Sequence, residues 1–225
     1  MKMRAIFEGQ WLHLVCLLAL LGAVFLAMKL PGATQGELFG LGTPFWLWLG
    51  VAIAVVHQVY VWLIWRLELH NKAISPMFGG RGFRAYTVGF AILGIARIIA
   101  VFFIAYANRD TFVLPVELAR VLAIIMALPA IYLFYSVRRY FTFDRAFGDD
   151  HFDPAARERP FETRGIFKYT SNGMYVYGFF LLWAAALWFN STAGLIVALF
   201  NHAYVWVHYF ATERPDFRHI YSDQA

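Results

Sequence analysis

Apolar stretches of about 20 residues recur along this chain, and that length of α-helix is what the hydrocarbon core of a bilayer requires. Only 15% of the residues are charged and 61% are hydrophobic. A soluble domain carries about 25% charged and 45–50% apolar residues. The sequence therefore predicts an all-α fold, a polytopic transmembrane helical bundle.

Six apolar segments make up the predicted bundle within a single integral membrane domain, 1–225. A four-helix part, 1–137, comes first, and a second part, 138–225, begins with a polar loop over 138–171. The last two segments are short for full spans and predict a helical hairpin that turns at Asn190, Ser191 and Thr192. The segments cover about 11–30, 44–65, 86–106, 115–137, 174–189 and 193–210, and a polar tail, 211–225, follows.

The basic residues predict an orientation, because lysine and arginine gather in cytoplasmic loops. With the N-terminus inside, most of the 19 basic residues fall on one side of the membrane. Lys29, Arg109 and Arg120 fall on the other side, and Arg97 falls within a span. Both termini and the polar loop are predicted to be cytoplasmic. The compact chain, with no recognisable organelle-targeting tail, favours the bacterial cytoplasmic membrane over an organelle membrane.

The last apolar segment has the most polar groups, and ionisable groups inside a membrane are functional candidates. In a continuous helix, two neighbouring faces carry these groups. Two interpretations stay open: the groups line a cavity near the cytoplasmic end, or they form interhelical hydrogen bonds. The first face carries His202, Trp206, Tyr209 and Glu213, and the second carries Asn201, Tyr204 and His208.

The stretch 163–178 leads from the polar loop into the fifth segment. Its glycines, Gly165, Gly173 and Gly178, permit close backbone approach and unusual dihedral angles. Ser171 or Asn172 can cap the helix that follows, and the free N–H groups there suit a carboxylate. An ordinary helix start is the alternative.

Two further groups stand within spans, and one cysteine bears on metal chemistry. Arg97 is expected to face the bundle interior and to pair with an acid, Glu68 or Glu117, or with a lipid or cofactor anion. His57 is expected to form interhelical hydrogen bonds. Cys16 is the only cysteine, so a disulfide framework and a cysteine-based metal site are excluded. No metal and no nucleic-acid partner is expected.

A family resemblance rests on two short motifs. The first runs from Gly165 through Phe167 and Tyr169 to the Asn172–Tyr175 stretch and Gly178, and the second is the Glu213 region before the polar tail. This pattern, over roughly 138–225, resembles the phosphatidylethanolamine and phospholipid N-methyltransferase family. The wider superfamily includes isoprenylcysteine carboxyl methyltransferase. Ser171 stands where that superfamily usually has arginine.

The resemblance implies a methyltransferase that uses S-adenosylmethionine and acts on a lipid or another lipophilic acceptor in the membrane. The expected reaction is N-methylation of a phospholipid headgroup such as phosphatidylethanolamine. His208, His202 or Glu213 is expected to take the acceptor's proton, and Glu213 to hold the cofactor's ammonium group. The full set of implied cofactor-binding residues is Gly165, Tyr169, Asn172, Gly173, Met174, Tyr175, Gly178 and Glu213.

Three alternatives stay open at this point. The acceptor is instead a prenyl-cysteine carboxylate or a thiol. Alternatively, the chain is a membrane reductase that binds NADPH and does not bind S-adenosylmethionine. In the third alternative the chain is a non-enzymatic transporter, although it lacks an obvious repeat or a pair of broken helices. The oligomeric state is not predicted.

Overall fold

The computed structural model describes residues 3–221. The chain is 76% helical with almost no strand, which confirms the predicted all-α class and an integral membrane bundle. A shorter apolar stretch, Gly173–Trp188, lies where the fifth of six crossings is predicted. The number of crossings, the cytoplasmic termini and the bacterial membrane stay predictions. Five helical stretches are long and apolar enough to span: Met3–Ala27, Thr43–Asn71, Gly82–Ala107, Val116–Phe141 and Thr192–Ile220.

The described residues form eleven α-helices joined by short loops. A two-residue hairpin of strands, β1 (Glu37–Leu38) and β2 (Leu41–Gly42), precedes α3. Two π-helical turns, Val137–Phe141 and Tyr209–Glu213, extend long helices. The helices are α1 (Met3–Ile6), α2 (Gln10–Ala27), α3 (Thr43–Asn71), α4 (Ile74–Met77), α5 (Gly82–Ala107), α6 (Val116–Ser136), α7 (Phe143–Ala146), α8 (Gly173–Tyr177), α9 (Phe180–Trp188), α10 (Thr192–His208) and α11 (Arg214–Ile220).

Local sequence explains where two of the long helices begin. Pro44 lies in the first turn of α3, where its missing N–H has no helical partner in any case. At α10 the Ser191 hydroxyl accepts a hydrogen bond of 2.9 Å from the Gly194 N–H. Ser191 is thus the N-cap of α10, as the Asn190, Ser191 and Thr192 turn predicts.

The C-terminal segment differs from the predicted polar tail over 211–225. The chain continues as a helix through the π-helical turn Tyr209–Glu213 and α11 to Ile220. Asp216 is only 2% exposed there, and it pairs with the Arg66 side chain at 2.9 Å. Because this ion pair is buried, α11 packs against the bundle instead of projecting into solvent. Residues 222–225 of the predicted tail lie outside the described residues.

The last long helix, α10, is the centre of the bundle and packs against α2, α3, α5 and α9. Small residues allow the close approach. A Cβ atom added to Gly50 of α3 would lie 2.7 Å from the Ile104 side chain and 3.3 Å from that of Val197. Small residues at helix contacts are the usual means of packing in membranes, where no hydrophobic effect draws helices together. Packing at Gly50 therefore sets the spacing of α3, α5 and α10.

Arg66 holds one end of the bundle together, which we call the Arg66 end. Its fully buried side chain joins three separate parts of the chain. The guanidinium donates to Asp216 of α11, to the Ile6 carbonyl at 3.0 Å and to the Ala211 carbonyl at 3.2 Å. The first and the last described helices therefore meet at the same end.

Asn108 joins the loops at the opposite end, the Asn108 end. Its amide nitrogen donates to the carbonyls of Gly32 and Gln35, both at 2.7 Å. Its side-chain oxygen accepts from the Ala193 N–H at 2.7 Å and the Ser191 hydroxyl at 2.9 Å. Asn108 is fully buried, so water cannot take over the hydrogen bonds that its side chain makes to these groups.

Replacing Asn108 by alanine is expected to destabilise the bundle. The change leaves buried backbone groups unsatisfied, and each such group costs about 1–3 kcal/mol. We expect the free energy of unfolding in mixed detergent micelles to fall by roughly 3 kcal/mol. The exposed neighbour Arg109 provides the control, since Arg109→Ala should change the free energy of unfolding by less than about 0.5 kcal/mol. Equal stability of both variants would contradict the role given to Asn108.

Candidate functional site

A cavity of about 610 Å³ extends from the middle of the bundle to the Arg66 end. Its deep part is lined by Arg97 of α5 and by Phe179, between α8 and α9. Its outer part is lined by Phe161 and Phe217, which are 57% and 42% exposed. The volume is within the roughly 300–1,000 Å³ of small-molecule sites.

Half of the ten predicted site residues line this cavity: Asn172, Met174, Tyr175, His208 and Glu213. His208 is 3% exposed, and neither of its ring nitrogens has a hydrogen-bond partner among residues 3–221. Within the same range, no group donates a hydrogen bond to the Glu213 carboxylate. The start of α8 and the end of α10 therefore face one space, with two polar side chains available to a ligand.

The three predicted glycines and Tyr169 lie outside the cavity lining. Gly165 has a φ of +60°, and a Cβ atom there would clash with the Ser136 side chain. Gly173 is buried behind the cavity wall, and Gly178 continues the backbone after α8. Tyr169 is 73% exposed. These residues shape the loop and the start of α8, and their contact with a cofactor stays a prediction.

His202 also lies outside the lining. It accepts a hydrogen bond of 3.1 Å from the Trp183 indole and stacks on Phe179 with ring centroids 5.6 Å apart. This geometry matches the interhelical hydrogen-bonding alternative for His202, whereas His208 matches the cavity alternative.

The π-helical turn Tyr209–Glu213 explains why Glu213 accompanies His208 and not His202. Residues five apart in a continuous α-helix point about 140° away from each other. A π-turn, with its i→i+5 hydrogen bonds, holds more residues and brings such a pair close to the same face. Of the predicted face, Tyr209 and Glu213 line the cavity and His202 does not, and the helix changes its period between His202 and Glu213.

Arg97 faces the bundle interior as expected, but its partners are not the predicted acids. Its Nε donates to the Asn201 side chain at 2.8 Å, and its Nη1 lies 3.4 Å from His57 Nδ1. Glu68 instead accepts from the Ile74 and Ser75 N–H groups and from the Ser75 hydroxyl at the start of α4. Glu117 lies 3.9 Å from Arg120.

A chain of charged and polar groups lies beside the cavity at the Arg66 end. The Asp216 carboxylate that binds Arg66 also lies 3.6 Å from His151 Nε2, an ion-pair separation that is too long for a hydrogen bond. His151 Nδ1 is bonded to Asp150 at 2.9 Å. The other Asp150 oxygen accepts from the Tyr221 hydroxyl at 3.0 Å. The polar loop and α11 are therefore joined electrostatically.

The surroundings of His151 change its titration. Burial lowers the pKa of His151, but the hydrogen bond to Asp150 and the nearby Asp216 carboxylate outweigh burial and raise it to about 9. Burial raises the pKa of Asp150, but the hydrogen bond with His151 and the charge of His151 bring it below its usual value. The Trp65 ring stacks on His151 with centroids 4.1 Å apart, which favours a cationic imidazole. His151 is therefore protonated at neutral pH.

Sequence reasoning missed His151 and Trp65 as lining residues. The only signal was local: His151 is a lone histidine that follows Asp149 and Asp150 in the polar loop. Its link to Asp216 joins positions that are far apart along the chain, and no spacing rule covers such a pair.

Comparison with known proteins finds a family model that matches the second half of the chain. Residues 118–224 match the family model described as phospholipid methyltransferase. This range holds the polar loop, α8 to α11 and nearly all of α6. Trp65 of α3 and Arg97 of α5 line the same cavity but lie outside the matched range. No curated protein and no solved structure matches the chain.

Raising the pH is expected to weaken the fold through His151. Its folded pKa of about 9 lies above its ordinary value of 6.5. The stabilisation is therefore complete below pH 6.5 and is lost as the pH rises through 9. We expect this stabilisation by protonated His151 to be roughly 3 kcal/mol. Unfolding of the wild type and His151→Gln at several pH values checks this, and an equal pH dependence of both proteins would contradict it.

Proposed function

We propose, from the premise that this chain belongs to the phospholipid methyltransferase family, that it transfers a methyl group from S-adenosylmethionine to the amine of a phospholipid headgroup such as phosphatidylethanolamine. One observation carries the proposal. The polar side chains of Glu213 and His208 face a single cavity that runs from the Arg66 end into the apolar middle of the bundle. An aqueous cofactor and a membrane lipid can both reach such a cavity.

The lining residues suit the methyl donor. The Glu213 carboxylate faces the cavity without a donor from residues 3–221, so it is free to accept charge-assisted hydrogen bonds from an ammonium group. Tyr175 lies 5.3 Å from Tyr209 and 5.5 Å from Trp206, measured between ring centroids. This aromatic group offers faces for an adenine ring and for a cation. S-Adenosylmethionine, when bound, supplies an electrophilic methyl group that needs no metal.

His208 is the residue that we assign to the acceptor's proton. A protonated amine has no lone pair, so it must lose a proton before it can attack a methyl group. The His208 imidazole lies on the cavity, and its nitrogens have no partner within the described part of the chain. It can therefore serve as general base. His151 is unsuitable, because its raised pKa keeps it protonated.

The remaining walls of the cavity exclude water. Trp65, Phe90 and Phe179 line it alongside the polar groups. Excluding water strengthens the electrostatic contacts of the bound groups and limits side reactions. The protein's main contribution is then to hold amine and methyl group in line, since such positioning supplies much of the rate of a two-substrate transfer.

Replacing Glu213 by glutamine is expected to weaken cofactor binding. Losing one charged hydrogen bond of about 2 kcal/mol lowers the affinity for S-adenosylmethionine roughly 30-fold. Calorimetric titration of the detergent-purified protein with S-adenosylmethionine and, separately, with NADPH measures this. The control is Glu158→Gln in the exposed loop, which should bind like the wild type. A folded wild type that binds NADPH and not S-adenosylmethionine would overturn the proposed function.

Replacing His208 or His202 by glutamine separates the two predicted bases. We expect His208→Gln to lower the turnover of phosphatidylethanolamine about 100-fold, the usual effect of a lost general base. His202→Gln should retain turnover within about 3-fold, because its ring faces Trp183 instead of the cavity. Transfer of labelled methyl groups to lipid at saturating cofactor measures both. A larger loss of turnover in His202→Gln than in His208→Gln would assign the role of general base to His202.

A further inference from the structure

Arg97 is a cation in the membrane-spanning part of α5. It is 7% exposed, and its guanidinium lies over the Phe179 ring, 5.1 Å from the ring centroid. Asn201 accepts from its Nε at 2.8 Å, and His57 lies 3.4 Å from its Nη1. These neighbours orient the guanidinium, but none of them is an anion.

The charge of Arg97 has no protein counter-ion within residues 3–221, since no carboxylate there lies within ion-pair distance of it. Its Nη2 is buried and makes no hydrogen bond with those residues, although Arg97 lines the cavity. A buried charge is costly unless it is paired and hydrogen-bonded. The missing anion therefore belongs to a ligand.

We infer that Arg97 binds the phosphate of the acceptor lipid. This inference rests on the proposed function and adds a specificity residue from outside the matched range. A guanidinium presents paired N–H donors that match the geometry of phosphate oxygens. Asn201 and Phe179 hold that group in one orientation, with Nη2 left for the ligand.

Arg97 stands between two environments that suit the two parts of a phospholipid. Towards the Arg66 end, the cavity carries the polar side chains of His57, His208 and Glu213. In the other direction, a separate groove of about 380 Å³ begins at Ile98, the next residue of α5. Apolar side chains of α5, α6 and α9 line it, among them Phe102, and Ile98 and Phe102 are 42% and 47% exposed. An acyl chain of the same lipid is the occupant that this groove fits.

The spacing along α10 points the headgroup toward the proposed base. Asn201, which holds Arg97, lies seven residues before His208 on the same helix. Seven residues make about two turns, so His208 stands on the same face roughly 10 Å nearer the Arg66 end. A phosphate on Arg97 therefore directs the ethanolamine nitrogen toward His208, while the acyl chains stay in the apolar region.

Acceptor selectivity tests the inference. We compare phosphatidylethanolamine with a phosphate-free long-chain primary amine in the wild type, Arg97→Gln and Arg97→Lys. Arg97→Gln should lower kcat/KM for phosphatidylethanolamine about 30-fold, which is the effect expected from losing one charged hydrogen bond. It should change kcat/KM for the phosphate-free amine by less than about 3-fold. Arg97→Lys, which keeps the charge, should recover part of the loss. Arg84→Gln, at an exposed arginine near the start of α5, is the control.

Cofactor and lipid binding distinguish the other outcomes. Equal losses on both acceptors would make Arg97 structural, and lost affinity for S-adenosylmethionine would assign it to the cofactor's carboxylate. Native mass spectrometry without cofactor measures retention of phosphatidylethanolamine directly. Retention that is equal in folded wild type and Arg97→Gln would overturn the inference even if no methyl transfer occurs. A wild type that retains the lipid but does not bind S-adenosylmethionine would overturn only the proposed function.

Discussion

The buried ion pair between Arg66 and Asp216 is the contact on which the arrangement of the cavity depends. Removing two charges from water is expensive, and their attraction offsets that cost only when the remaining donors are also satisfied. All three guanidinium nitrogens of Arg66 donate, to Asp216 and to backbone carbonyls at both ends of the chain. These contacts fix α3, the N-terminal segment and α11 to one another. The π-helical turn between α10 and α11 is thereby held in place.

The π-helical turn Tyr209–Glu213 decides which side chains meet. Glu213 lines the same cavity as His208, whereas His202 packs between helices against Trp183 and Phe179. Asp216 also attracts protonated His151, which draws the polar loop over the end of the bundle. One carboxylate thus helps to position both the last helix and the loop that lines the outer part of the cavity. Polar side chains that join helices by hydrogen bonds are a usual means of association in membrane proteins.

Under the proposed function, the polar cavity would take the headgroup of a phospholipid and the apolar groove would take an acyl chain, with Arg97 at the boundary between them. The proposed reaction brings together a water-soluble cofactor and an acceptor that does not leave the membrane. A site at that boundary allows both to bind without extracting the lipid into water, which would expose its acyl chains at about 0.8 kcal/mol for each methylene group.

Sequence alone is enough to establish that the chain is a helical membrane protein, roughly where its apolar segments lie, and which family its second half resembles. Hydropathy and short motifs depend on residue type and local spacing, so they can be read directly, and they indicated Glu213 and His208 as candidate site residues. It takes the folded structure to show that Glu213 and His208 line one cavity, that Asn201 and His57 are neighbours of Arg97, and that His151 stands between two carboxylates. A change of helical period and contacts between distant positions arise from packing in three dimensions, and no local pattern in the sequence encodes them.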